Sequence, residues 1–87
     1  FKFRLDKNYP NPFNPKTNIE FEISIAGNIE LDLFDLRGSY VKNLMNQRMS
    51  AGSHLYVLDG TNLSSGVYFY RMSANGKSQT HKLVLMK

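Results

Sequence analysis

The sequence predicts an all-β fold of about seven short antiparallel strands, and three observations carry that prediction. Apolar side chains recur at every second position in several segments. The spacing of three and four that marks an amphipathic helix is missing. Turn signals built from Gly, Asn, Asp and Ser return at intervals of about 8 to 12 residues.

Each element follows in order. Phe1–Asn8 is expected to be a linker running in from an upstream domain, with the folded domain spanning 9–87; a start at Phe1 rather than Met suggests a piece of a longer protein. Tyr9-Pro10-Asn11-Pro12-Phe13-Asn14-Pro15 holds every proline in the chain. Proline fixes φ and restricts the residue before it, so this stretch is a stiff, extended lead-in that cannot pair fully in a sheet. Tyr9 and Phe13 are placed to pin it to the domain.

Thr17–Ile25 alternates cleanly, with Ile19, Phe21, Ile23 and Ile25 on one face and Asn18, Glu20, Glu22 and Ser24 on the other. Ala26-Gly27-Asn28 is a turn, after which Ile29, Leu31 and Leu33 resume the pattern, and the two segments are expected to pair as a hairpin. Asp35-Leu36-Arg37-Gly38 is a second turn, because Asp bonds its own backbone two residues on and Gly accepts positive φ. A short strand from about Tyr40 to Asn46 follows, then a break at Ser50-Ala51-Gly52.

Ser53–Asp59 is apolar on both sides, with His54, Tyr56 and Leu58 on one face and Leu55 and Val57 on the other, which suggests burial between layers or a covered edge. Asn62–Gly66 is a loop. Val67–Ala74 puts Tyr68, Tyr70 and Met72 on one face and Val67, Phe69 and Arg71 on the other. Asn75-Gly76 suits a type I′ turn, since both residues tolerate positive φ, and leads into a last strand from about Lys77 to Met86. Strands of this length and spacing fit a two-sheet sandwich of immunoglobulin-like type.

Size and composition exclude several function classes. A chain of 87 residues and 10.0 kDa is one domain, with a folded surface of about 5,200 Å² against roughly 14,500 Å² unfolded, and has no spare mass for a deep catalytic cleft. The absence of Cys removes disulfides, thiolate zinc sites and a cysteine nucleophile. Two histidines make a protein-only metal cage unfavourable, and no apolar run reaches the ~20 residues of a membrane helix. The net charge of +4 is uneven. Phe1–Asn43 balances its acids and bases, whereas the remainder sets Arg48, Arg71, Lys77, Lys82 and Lys87 against Asp59 alone. No run of 5 to 8 consecutive basic residues suggests a nucleic-acid patch.

Candidate chemistry is sparse. His54 lies mid-strand as a packing residue, and His81 is expected to face solvent. Ser64 and Ser65 lack the G-x-S-x-G elbow and read as turn residues. Asp59-Gly60-Thr61-Asn62 offers oxygens but only one carboxylate, a poor calcium cage. Asn62-Leu63-Ser64 matches a glycosylation sequon and shapes a turn. Tyr68, Phe69 and Tyr70 do not form a base-stacking platform, because consecutive strand residues face opposite ways. No catalytic set, cofactor or metal site is expected. The segment Lys82-Leu83-Val84-Leu85-Met86-Lys87 is apolar on both faces between two lysines. Two readings of it stand: a central strand buried on both sides, or an edge strand that a receptor augments by β-addition.

Four segments in order resemble the type A C-terminal sorting domain of the type IX (Por) secretion system. They are Tyr9–Pro15, Leu33-Phe34-Asp35-Leu36-Arg37-Gly38, Leu63-Ser64-Ser65-Gly66-Val67-Tyr68-Phe69-Tyr70-Arg71, and Lys82–Lys87. The resemblance covers about Leu5 to Lys87. It implies a non-enzymatic immunoglobulin-like sandwich at the end of a cargo protein that reaches the periplasm by its own signal peptide. The domain then directs that cargo through the outer membrane to the cell surface or medium, and a surface sortase usually removes it.

Implied partners are the outer-membrane translocon, the sortase and the upstream cargo domain, with no nucleic acid and no direct membrane insertion. The implied signal residues are Gly66, Val67 and Tyr68 together with Lys82, Leu83, Val84, Leu85, Met86 and Lys87. Leu55 and Val57 stand where the family more often has small polar residues. The rival readings are a structural or carbohydrate-binding accessory module of an extracellular enzyme, and a scaffold domain like that of the flagellar hook cap, which has a related sandwich.

Overall fold

The computed structural model describes residues 1–87. It contains seven strands: β1 (Phe3–Leu5), β2 (Lys16–Ile23), β3 (Gly27–Asp35), β4 (Tyr40–Met49), β5 (Gly52–Asp59), β6 (Gly66–Ala74) and β7 (Lys77–Leu85). They form two antiparallel sheets, β1-β2-β5 and β4-β3-β6-β7, packed face to face as in an immunoglobulin-like sandwich. The accessible surface, 5167 Å², agrees with the value expected from the mass.

Alternation produces the core. Ile19, Phe21 and Ile23 of β2, Ile29, Leu31 and Leu33 of β3, Tyr70 and Met72 of β6, and Leu83 and Leu85 of β7 are all at most 1 % exposed. With Leu5, Phe13, Leu58 and others they make one cluster of 16 residues. Full burial of each such side chain is worth ~1.5–3 kcal/mol. The turns form as their residues dictate. Asp35 Oδ1 accepts from Arg37 N and Ser39 N, both at 2.9 Å, and Gly38 has φ 84°. Asn75 and Gly76, at φ 48° and 78°, close the β6–β7 hairpin.

Several expectations are corrected. The expected hairpin of β2 with β3 does not form, since β2 pairs with β1 and β5 whereas β3 pairs with β4 and β6. The short connection after Ile23 carries the chain from one sheet to the other, so the inward faces of β2 and β3 meet across the core. Alternation specifies which side faces inward and is the same for a paired strand and a crossing one. Ile25, expected on the inner face, lies in this crossing and is 54 % exposed.

Nor is β5 a covered strand: it pairs only with β2, and Leu55 and Val57 are exposed on the outer face, where no third layer exists. The third expected strand runs on to Met49 as β4, with a register shift opposite Leu31/Asp32. Tyr9 does not pin the lead-in through its ring, which is exposed; its backbone bonds Asn18 instead, N to O at 3.0 Å and O from N at 2.9 Å.

The stretch 1–8, expected as a linker, contains β1. Phe3 and Leu5 sit opposite Ile23 and Phe21, and Leu5 is buried, while Arg4 on the outer side pairs with Glu22 at 2.9 Å and Asp6 at 2.8 Å. Exposed pairs like these add little stability. The far edge of β1 is satisfied by side chains of β7. Gln79 Oε1 accepts from Leu5 N at 2.9 Å, Gln79 Nε2 donates to Phe3 O at 2.9 Å, and His81 Nε2 donates to Leu5 O at 2.7 Å. His81 therefore does not face solvent as expected; it tilts against Tyr70, with ring centroids 5.7 Å apart.

Candidate functional site

The two-residue turn at Asn75-Gly76 sets the register of β6 and β7, and that register brings the two groups of sequence-singled residues together. Gly66 pairs with Leu85, Val67 with Val84, and Tyr68 with Leu83. They form the open end of one hairpin at the rim of the four-stranded sheet.

Of the two readings of this segment, the structure shows an edge strand, because β7 pairs with β6 alone. Its apolar residues divide between two environments. Leu83 and Leu85 are fully buried, Val84 is half-buried on the outer face across from half-buried Val67, and Met86 is 58 % exposed.

Polar contacts hold the ends of these segments. Tyr68 is buried and its hydroxyl donates to Ser64 O at 2.6 Å, which ties β6 to the preceding loop. Lys87 N donates to Ser65 Oγ at 3.0 Å, and Lys87 Nζ to Thr61 O at 2.7 Å. Lys82 is exposed, and both ion pairs of the protein belong to Arg4, so neither lysine is neutralised by a carboxylate. On the same outer face the Arg71 guanidinium lies 4.7 Å from the Phe34 ring centre, a cation–π contact. The hollow beside it, about 240 Å³, is lined by Phe34, Gly38, Phe69, Arg71 and Thr80.

The proline-rich lead-in reaches the same place. Phe13 N donates to Val84 O at 3.0 Å, Met86 N donates to Phe13 O at 3.0 Å, and Val84 N donates to Asn11 Oδ1 at 3.0 Å. Phe13 is 2 % exposed, so here the expectation that it pins the lead-in holds. Gly60 completes the packing. A Cβ at that position would lie 3.1 Å from Leu85 Cδ2, 3.2 Å from Phe13 Cε2 and 3.2 Å from Pro15 O, and Gly60 N donates to Pro15 O at 2.7 Å. Sequence reasoning missed Asn11 and Gly60 as parts of this end. The available signal was an Asn between two prolines, whose side-chain oxygen accepts from Val84 N in a stretch where the prolines themselves have no N–H to donate.

The remaining polar groups are engaged in structure. His54 stacks on Phe21 with centroids 5.3 Å apart and shares a 2.7 Å hydrogen bond with Ser50 O. Asp59 Oδ1 accepts from the Thr61 hydroxyl and, at 2.9 Å, from Thr61 N; these donors hold its carboxyl below the usual range. No three His, Asp or Glu side chains converge as a metal site would require. Burial pushes the Tyr70 hydroxyl up to about 12, and this group donates to Asp6 O at 2.8 Å. The geometry presents a sheet edge with backbone hydrogen-bonding groups, apolar side chains and lysines that no carboxylate pairs.

Comparison with protein families matches residues 7–86 to the model described as the secretion system C-terminal sorting domain. Comparison with curated proteins returns no match.

Proposed function

The chain belongs to the family of C-terminal sorting domains of the type IX secretion system, and from that membership we propose that the open end of the β6–β7 hairpin is the surface its export machinery reads. The observation that carries this reading is the pairing of Gly66, Val67 and Tyr68 with Leu85, Val84 and Leu83 in the edge hairpin of the four-stranded sheet, where only the Asn11–Phe13 segment lies against the last strand. Backbone groups on such an edge give affinity, and alternate side chains give specificity. Here Lys82, Val84, Met86 and Lys87 are the side chains available on the outside, while Leu83 and Leu85 hold the strand in the core. An attached upstream cargo would cross the outer membrane from the periplasm by this recognition, with the domain then removed by the surface sortase.

The division between outer and inner residues determines the right test. Deleting Lys82–Lys87 also removes Leu83 and Leu85 from the core, so failure of the truncated domain would report folding as well as recognition. Substituting Lys82→Glu with Met86→Glu alters only exposed side chains that make no hydrogen bond within the domain, whereas Lys87 is left in place because its Nζ holds Thr61 O. Fused behind a periplasm-directed reporter in a bacterium with a type IX system, the intact domain should deliver the reporter outside the cell. The double variant should leave it in the periplasm with an unchanged thermal unfolding midpoint. Normal delivery by the folded double variant would refute this assignment of the surface, and failure of the intact domain would refute the sorting reading.

A further inference from the structure

We propose that the outer edge of β7 is a strand-exchange site. Its resident is the Asn11–Phe13 segment, and its incoming partner is an extended segment of the export machinery, lying parallel to β7 and bringing an apolar or aromatic residue to replace Phe13. The proposal rests on the sorting reading above and adds how the edge is engaged.

The resident segment covers the edge incompletely. In an antiparallel ladder alternate residues turn both backbone groups the same way. Val84 points both of its groups away from β6, to Asn11 and Phe13, and the same alternation turns Ser78, Thr80 and Lys82 outward. The resident makes three hydrogen bonds, at Val84 N, Val84 O and Met86 N, and leaves the groups of Ser78, Thr80 and Lys82 uncovered. It cannot extend further, because Pro10, Pro12 and Pro15 have no N–H to donate. A continuous strand along 78–86 would satisfy every group the resident does and those it leaves open.

The resident is also tethered. Its start is fixed by the mutual backbone bonds of Tyr9 and Asn18. The buried Asn8 amide reinforces this end, donating to Pro10 O at 3.2 Å and Thr17 Oγ1 at 3.0 Å. Its far end is held where Gly60 N meets Pro15 O. The middle can therefore leave β7 and return without release of the strands on either side. The demand on the partner follows from Phe13. Its ring is buried against the wall formed with Gly60 and Leu85, so an incoming strand without an apolar residue at the matching position would leave a void there.

Amide hydrogen exchange on the whole chain tests the opening, and a labelled synthetic peptide of residues 7–16 serves as the incoming strand. Val84 and Met86 amides should exchange at least about tenfold faster than Leu83 and Leu85, which face β6, because the resident opens locally. Asn11→Ala should speed Val84 again without changing Leu83. The peptide should bind the Phe13→Ala chain at least about tenfold more tightly than the intact chain, and should restore protection at Val84 and Met86. If Phe13→Ala does not fold, the Asn11→Ala chain takes its place as receptor with the same expectation.

Equal exchange at all four amides would overturn the proposal, as would peptide binding that protects only Ser78–Lys82, or no binding to any variant. None of these measurements uses the secretion machinery. Their failure would leave the sorting reading standing, and failed export of the intact reporter fusion would leave the exchange results untouched.

Discussion

Adding a single methyl group at Gly60 probes the meeting point of the lead-in, the last strand and the loop after β5. In Gly60→Ala the new Cβ would sit 3.1 Å from Leu85 Cδ2, 3.2 Å from Phe13 Cε2 and 3.2 Å from Pro15 O, all tighter than ordinary carbon contacts of about 3.5–4.0 Å. None of the three yields easily. Leu85 and Phe13 are 0 % and 2 % exposed, with no open space to swing into, and Pro15 O is the acceptor for Gly60's own N–H. Overpacking of this kind costs about 1–3 kcal/mol. Three simultaneous contacts place Gly60→Ala near 2 kcal/mol, roughly 8–16 °C in melting temperature for a domain of this size.

Gly60 has no positive φ, so the substitution tests space alone. Gly27→Ala, where nothing lies within 4 Å of the added Cβ, is the control. Thermal unfolding followed by far-ultraviolet circular dichroism measures both. A Gly60→Ala midpoint within about 2 °C of the unsubstituted protein, equivalent to less than ~0.5 kcal/mol, would refute the claim that this junction is closely packed.

Two further outcomes follow from burial. The Tyr70 hydroxyl is pushed up to about 12 from an unfolded value of about 10. Both states hold this proton below about pH 10, and between there and about pH 12 the unfolded chain releases it first, so stability falls across that window. Tyr70→Phe should flatten that part of the curve in urea unfolding, and an unchanged alkaline loss would contradict it. Replacing exposed Leu55 and Val57 with Thr should leave stability within about 0.5 kcal/mol per site and lower self-association in light scattering, since an unprotected apolar edge strand invites pairing; a large loss of stability would show that they are buried after all.

Much of the fold is legible because alternation maps directly onto burial. Ile19, Phe21, Ile23, Leu31, Leu33, Tyr68, Tyr70 and Met72 all lie on the inner faces where their spacing puts them. Counting outward from Asn75-Gly76 also places Gly66 across from Leu85, so half of the candidate site is implicit in a two-residue turn. Partner choice is harder to read. Nothing in Thr17–Leu33 distinguishes a hairpin from a crossing between sheets, since both bury the same residues. β1 was obscured by its three residues with a charged one at the centre. Gln79 and His81 were obscured because they are polar residues at inward positions, and their purpose lies in backbone groups more than 70 residues earlier in the chain. Asn11 is a long-range acceptor of the same kind.

The Gln79 and His81 contacts with β1 also define a mechanical path. A pull applied at Phe1 would load β1 along its length, against its ladder with β2 on one side and the three side-chain hydrogen bonds from β7 on the other. Both rows of bonds would be strained in shear, so several would share the load instead of opening one after another. Because one row ends on β7, tension arriving at the first strand would be felt directly by the last strand.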